Sequence, residues 1–295
     1  MNIETLRLFC DVVRYRSFSR GAVANNVSQS AATQSVHRME RHFGIQLIDR
    51  TKRPFVTTPE GQACYEGFRD VLEQYDAVES RVRMLRHEIS GIVRVAAIYS
   101  VGLHDMSRCM KDFMLRYPKA QVRLEYLGPA KVYEAVENAG VEMGIVSYPR
   151  PSSDIEVIPL RSENMVLVCA TDHPLAGEKT ATAESVADQD FVSFQRDLII
   201  RKKIDRHMQK HKTSVNVVME FDNIETIKQA VEIGCGISLL PEPTVRLERE
   251  SGRLAVVPLA TEELRRPIGI IHRHRHVFTP TASKFIELLQ EVQGE

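Results

Sequence analysis

The sequence predicts a small, mostly helical N-terminal module, one long helix, and a larger α/β body. Three observations lead there. Residues 1–58 show helical spacing of apolar positions in three short runs, each opened or closed by a capping residue. Residues from Pro59 to about Ile89 contain no further proline and keep one unbroken apolar stripe. Beyond Ser90-Gly91, β-rich runs alternate with helical stretches for some 200 residues, the mark of an α/β fold with mainly parallel strands. The 295 residues, 43% of them hydrophobic, suffice for two or three cores.

Charge separates the module from the body. Lys plus Arg (39) balances Asp plus Glu (39) over the chain. Residues 1–58 hold nine Lys/Arg against four acids, and the remainder holds 30 against 35. A basic module therefore sits on an acidic body, which points to a local polyanion partner rather than a global one. The longest apolar runs, such as Met165 to Ala170, fall far short of the roughly 20 residues that cross a bilayer. Glu4 and Asp11 stand where a secretory leader would be apolar. The expectation is a cytoplasmic protein without a membrane partner. Five scattered cysteines with no C-x-x-C argue against a disulfide framework or a zinc ribbon.

Within the module, Leu6, Phe9, Cys10 and Val13 place a first helix from about Ile3 to Tyr15. Ser17 caps a short second helix, and Ser28 caps a third that ends at Gly44. In the third helix Ala32, Val36, Met39 and Phe43 form the apolar stripe, while Ser30, Thr33, Gln34, His37 and Arg41 share the opposite side. Hydroxyl, amide and guanidinium groups are the chemistry that reads base edges and grips phosphate, although such a face also fits a merely solvated helix. Leu47 to Thr58 reads as two short strands around a basic Lys52-Arg53-Pro54 turn, a wing.

This order of helices and wing resembles the winged helix-turn-helix of the LysR-type transcriptional regulators. The residues that carry the resemblance are Phe9, Ser17-Phe18, Ala22, Val27-Ser28-Gln29, Ala31, Leu47, Asp49-Arg50 and Thr57-Thr58-Pro59-Glu60-Gly61. Two positions depart from the family pattern: Ser30 stands where the family often has Pro, and Asn25 where it often has Leu. The resemblance implies DNA contacts from Ser28, Gln29, Ser30, Thr33, Gln34 and Arg38 on the third helix, and from Arg50, Lys52 and Arg53 on the wing. Arg38 has no acid three or four positions away to compete for it.

The long helix carries Cys64, Phe68, Val71, Tyr75, Val78, Val82, Leu85 and Ile89 in alternating steps of four and three. That is a heptad seam, with Phe68, Val71, Tyr75, Val78, Val82 and Leu85 as the dimerisation contacts. An amphipathic helix lying on its own core is the alternative, since a heptad drifts slowly from a 3.6 period. A dimer of this kind calls for an inverted-repeat target.

In the body, strands are expected at Val93–Ile98, Val122–Tyr126, Met143–Ser147, Met165–Ala170, Phe191–Phe194, Val215–Glu220, Ile237–Leu240, Ala255–Pro258 and Ile268–His272. Gly91-Ile-Val-Arg-Val, Phe113-Met-Leu-Arg-Tyr-Pro118 and Gly234-Cys-Gly-Ile-Ser-Leu-Leu-Pro241 resemble landmarks of the same family. The resemblance thus covers the whole chain. It implies an effector domain of two Rossmann-like lobes, of the type II periplasmic-binding-protein kind. The lobes would exchange strands near Arg161 and near Arg266, with Pro280 to Val292 returning to the first lobe. The domain boundaries that follow are 1–58 for DNA binding, 59–89 for the linker, and 90–295 for the effector domain. Lobe I would take about 91–160 and 268–295, and lobe II about 161–267.

In such folds the ligand lies beyond the carboxyl ends of the strands. The effector-binding candidates are Tyr99, Ser100, Val101, Gly128, Ser147, Phe194, Arg196, Asn223 and Ile224. The resemblance implies a small-molecule effector, often an organic anion, and Arg196 is the cation that would pair with one. It also implies a dimer that assembles into a tetramer, with RNA polymerase as a further partner. No cofactor is expected. His272, His274 and His276 interleave with arginines, and His207 with His211 lacks the Glu of H-E-x-x-H, so neither set makes a metal site. No G-x-S-x-G, Walker loop or G-x-G-x-x-G is present, which leaves an enzyme as the distant alternative. A redox-responsive member of the same family, using Cys109 with Cys169 or Cys235, is the nearer one.

Overall fold

The computed structural model describes residues 1–84, 89–101, 106–261 and 263–291. The chain divides into two compact units, Met1–Ser90 with Val277–Ser283, and Gly91–His276 with Lys284–Glu295.

In the first unit α1 (Ile3–Tyr15), α2 (Phe18–Ala24) and α3 (Gln29–Phe43) start where side chains accept from the orphan first-turn N–H groups. Asn2 accepts from Thr5, Ser17 from Arg20 and Ser28 from Ala31. The helices close over Phe9, Val12, Ala22, Ala32, Val36 and Met39. β1 (Ile48–Asp49) pairs antiparallel with β2 (Val56–Thr57) to make the wing. The long helix α4 (Pro59–Met84) adds Tyr65 and Leu72 to this core. Arg7 of α1 holds Asp76 of α4 through two hydrogen bonds of 2.7 and 3.3 Å. A Cβ on Gly61 would lie 1.9 Å from the Leu47 carbonyl oxygen, so only glycine lets α4 start this close to the wing.

The second unit is built on two sheets that share a strand. In lobe I, β3 (Gly91–Ala97) pairs parallel with β4 (Ala120–Tyr126) and with β5 (Met143–Ser147). β11 (Arg265–Arg273) pairs antiparallel with β5, and β6 (Ile155–Cys169) antiparallel with β11. The helices of this lobe are the short α5 (Tyr99–Val101), α6 (Ser107–Arg116), α7 (Pro129–Glu137) and α11 (Pro280–Glu291). Phe113 and Phe285 pack edge to face at 5.1 Å and seat α11 on α6.

From Met165 onward β6 leaves β11 and runs between β9 (Ser238–Pro241) and β10 (Ala255–Pro258), antiparallel to both. β7 (Asp190–Phe194) joins β9 by one parallel bridge, Phe191 to Ile237, and β8 (Asn216–Phe221) pairs parallel with β7. α8 (Ile199–Lys210), α9 (Ile224–Glu232) and α10 (Arg246–Glu250) complete lobe II around Leu167, Phe191, Ile204, Ile227, Val231 and Leu239. Lys228 is buried, with Glu225, Glu248 and the Thr244 carbonyl all at 3.0 Å, the pairing a buried ammonium requires. Gly236 takes φ +147°, and a Cβ there would meet the Asp190 carbonyl at 2.4 Å, so Gly234-Cys235-Gly236 is a tight helix-to-strand turn.

Two expectations change. The sheets are mixed rather than mainly parallel, because the strand linking the lobes pairs antiparallel with β9, β10 and β11. The strand expected at Met165–Ala170 is the last third of a 15-residue strand that ends at Cys169. Its first ten residues carry no strand pattern because Pro159, Arg161 and Glu163 break the apolar alternation.

Gly61→Ala is expected to lower the stability of the first unit by about 2 kcal/mol, the range for an overpacked contact against backbone. Gly67, also in α4, has open space around its Cβ direction. Gly67→Ala should therefore raise stability slightly, by up to about 1 kcal/mol. Thermal unfolding of both variants checks the pair.

Candidate functional site

The exposed face of α3 carries Gln29, Ser30, Gln34, His37, Arg38 and Arg41. Not all of the expected contact residues are equally available. The Ser28 hydroxyl accepts from Ala31 N at 3.1 Å and lies 2.9 Å from Ser30 Oγ, and the Thr33 hydroxyl donates to the Gln29 carbonyl at 3.0 Å. Gln29, Gln34 and Arg38 form no side-chain hydrogen bond or ion pair among the described residues and extend into solvent.

A buried carboxylate fixes the wing against this helix. Glu40 accepts from Leu47 N at 3.1 Å and Ile48 N at 3.3 Å through one oxygen. Through the other it accepts from Arg50 at 3.0 Å, with His37 Nδ1 at 3.1 Å. The Arg50 guanidinium also lies 5.7 Å from the centre of the Phe18 ring, and Phe18 packs on Phe55 of the wing. Arg50 is thus committed in part to holding the wing, whereas Lys52 and Arg53 stand exposed at its turn. Glu40 escaped sequence reasoning as one acid in a basic segment. The signal was its register with Val36 and Met39, on the side of α3 that faces the core.

On α4 the seam divides. Phe68 lies edge to face with Phe9 at 5.8 Å and, partly buried, packs with Cys64 against its own core. Val71, Tyr75, Val78 and Val82 are exposed, each at 41% or more. Leu85 lies outside the described residues.

The second unit contains a cavity of about 1000 Å³ between the lobes. Of the expected effector residues, Tyr99, Ser100, Gly128, Ser147, Phe194, Asn223 and Ile224 line it. Two do not. Val101, the last residue of α5, is buried away from the lining, and Arg196 is turned out to solvent with its side chain 81% exposed, where it bonds Glu220 at 3.3 Å. Glu220 is also held by Arg201 at 2.7 Å, and this carboxylate draws Arg196 away from the cavity. Lys131, Arg150 and Arg266 are the cations of its lining, and of these only Arg266 is buried. The strand alternation Arg266, Ile268, Ile270 places it on the buried side, a signal present in the sequence. α7 and α8 both open on the cavity, and neither has a side-chain cap, so their first-turn N–H groups face it without a side-chain partner.

The five cysteines are free thiols. Burial pushes the Cys10 thiol up to about 12 and the Cys169 thiol up to about 11, which suppresses the reactive thiolate. Among the described residues no group of three or more His, Cys, Asp or Glu is placed to hold a metal ion. His272 and His274 turn instead to Glu156, at 3.8 and 2.6 Å. No helix among the described residues is long and apolar enough to cross a membrane.

Residues 3–62 match the bacterial regulatory helix-turn-helix of the lysR family, and residues 86–294 match the LysR substrate binding domain. The chain belongs to the LysR-type transcriptional regulators, a family of DNA-binding regulators rather than enzymes. It is 28% identical to YfeR of Shigella flexneri, an uncharacterised HTH-type transcriptional regulator, over 98% of this chain and 94% of that one. Full-length OxyR from Pseudomonas aeruginosa shares the fold with a TM-score of 0.80 at 21% identity, over 99% of this chain and 94% of that chain. The regulatory domain of Synechocystis CcmR, solved with 2-PG bound, matches 69% of this chain and 98% of its own with a TM-score of 0.62 at 24% identity.

Burial opposes the Glu40 charge, but the hydrogen bonds from Arg50, Leu47 and Ile48 outweigh it and hold the carboxyl below its ordinary value of 4.5. A carboxylate lowered on folding stabilises above its unfolded pKa, and that contribution is lost as the pH falls through the folded value. Urea unfolding between about pH 6 and pH 3 should show a shallower acid loss in Glu40→Gln than in the parent protein.

Proposed function

We propose that this regulator acts as a dimer on inverted-repeat DNA and answers to a small anionic effector in the cleft between its lobes. Gln29, Ser30 and Gln34 read base edges in the major groove, and Arg38, Lys52 and Arg53 hold phosphate. Arg50 contributes to that grip while braced by Glu40. Ser28 and Thr33 set the start of the recognition helix. The working division is a DNA-binding domain to residue 58, a linker to 89 and an effector domain from 90, with lobe II between about 161 and 267.

The effector reading is carried by the lining of the cavity. Two helices begin there with free N–H groups, one in each lobe, beside the hydroxyls of Ser100 and Ser147. That arrangement favours a ligand with acceptor oxygens, such as a carboxylate or phosphate. The 2-PG bound by CcmR is a precedent in a protein of the same fold.

The dimer reading rests on the exposed stripe of Val71, Tyr75, Val78 and Val82, on a helix whose other stripe is already buried. Assembly to a tetramer through the effector domains, and contact with RNA polymerase, complete the scheme. Effector binding then changes how the two DNA-binding modules meet their half-sites.

Two sets of variants test this reading. In fluorescence anisotropy on DNA from upstream of the protein's own coding region, Gln34→Ala should cost about 10- to 100-fold on that duplex and little on a scrambled one. Lys52→Ala should weaken both alike and reduce the salt slope by about one. Equal losses on both duplexes for both variants would refute the assignment. Val78→Asp should shift the protein towards monomer in sedimentation velocity, whereas Val23→Asp, at an exposed apolar residue of α2, should not.

A further inference from the structure

The register of β6 and β11 sets Glu163 directly across from Arg266, and both side chains are 2% exposed. Arg266 Nε donates to Glu163 Oε2 at 2.7 Å, and Nη2 contacts the same oxygen. The other Glu163 oxygen accepts from Arg161 Nε at 2.8 Å. Arg266 Nη1 turns the other way and donates to Ser100 Oγ at 2.9 Å. Arginine has no acceptor, so this bond occupies a lone pair of the hydroxyl and leaves its proton to donate elsewhere. Among the described residues that proton finds no side-chain or backbone acceptor, and Ser100 lines the cavity.

The pair also marks a boundary in the sheet. Arg265–Asn164 is the last rung of the β6–β11 ladder, and the next residue, Met165, pairs with Pro241 of lobe II. Ser100 is therefore tied, through one guanidinium, to the point where the shared strand passes from one lobe to the other.

We propose that Glu163 and Arg266 are a positioning pair: they hold the Ser100 hydroxyl as a donor into the cleft and anchor that donor to the strand crossover. The proposal rests on the cleft being the effector site. Glu163 compensates the Arg266 charge, so at this point of the wall acceptor oxygens meet an oriented donor rather than a bare cation, while Lys131 and Arg150 stand exposed elsewhere on the lining. Replacing the pair should then alter which ligands are preferred, beyond any general loosening. Because Glu163 restrains the cation, removing its charge should strengthen the binding of acids. A purely structural role would weaken it.

Isothermal titration of the full-length protein tests this with two matched probe pairs, benzoate with benzamide and glycolate with glycolamide. The parent should prefer the acids by at least about tenfold, the size of one charge-assisted hydrogen bond. Ser100→Ala and Arg266→Gln should reduce that preference to within about threefold, and Ser100→Thr, which keeps the hydroxyl, should retain it. Glu163→Gln should bind the acids more tightly than the parent. Thermal unfolding and binding to the upstream DNA identify variants that have lost their fold. If Arg266→Gln is among them, the two Ser100 variants and Glu163→Gln decide. An unchanged acid preference in Ser100→Ala or Arg266→Gln would overturn the proposal, as would weaker acid binding in a folded Glu163→Gln. If the parent prefers the neutral amides, the proposal fails while the cleft remains an effector site. If none of the four probes binds, the proposal and the anionic-effector reading fall together, and the DNA-binding reading stands on its own test.

Discussion

The architecture of the effector domain depends on one strand serving two sheets. β6 spends its first ten residues paired with β11 in lobe I and its last five between β9 and β10 in lobe II. The pairing passes from β11 to β9 and β10 between Asn164 and Met165, and Met165 is already part of the lobe II core. The cavity opens between the two lobes that this strand joins, and the charged pair beside the change reaches its wall. A ligand held there touches both lobes, and the angle between them is the coordinate it can act on.

The N-terminal unit solves a different problem. A small helical core buries too little surface to hold a two-residue-per-strand wing by packing alone. The buried Glu40 carboxylate does so by collecting two backbone N–H groups and Arg50, with the Phe18–Phe55 contact beside it. The acid that looks out of place in a basic segment is what keeps the wing cations on one side of the recognition helix. Gly61 lets α4 approach the same segment from behind.

Most of the fold was legible because single-face burial imposes a period. α1 runs over the expected Ile3–Tyr15, and β5 and β10 coincide with their expected ranges. The failures also have physical causes. The first ten residues of β6 include Pro159, Arg161 and the buried Glu163, so the apolar alternation that marks a strand is absent. The heptad on α4 looks like one seam, but the helix meets its own core through Tyr65 and Leu72, which lie beside that seam. Cys64 and Phe68 pack at the edge of that contact, while Val71, Tyr75, Val78 and Val82 stay exposed. Of the cleft, loop position placed seven of the nine candidates on the lining, since strand ends and helix starts converge wherever the fold is α/β. It failed at Arg196, where a neighbouring carboxylate decides the direction of a long side chain. It also passed over Arg266, whose place in the strand alternation was readable but whose partner lies 103 positions away.

DNA recognition and effector recognition thus reside in separate units of one chain, and the family to which the chain belongs is defined by having both. In the proposed scheme the two are energetically linked. The most direct test measures upstream-DNA affinity with and without a saturating cleft ligand, and the affinity for that ligand with and without the DNA. Linkage requires the same factor in both titrations, and that factor is expected to be about 5 or more. A ligand that fills the cleft yet leaves DNA affinity and DNA bending unchanged would contradict it.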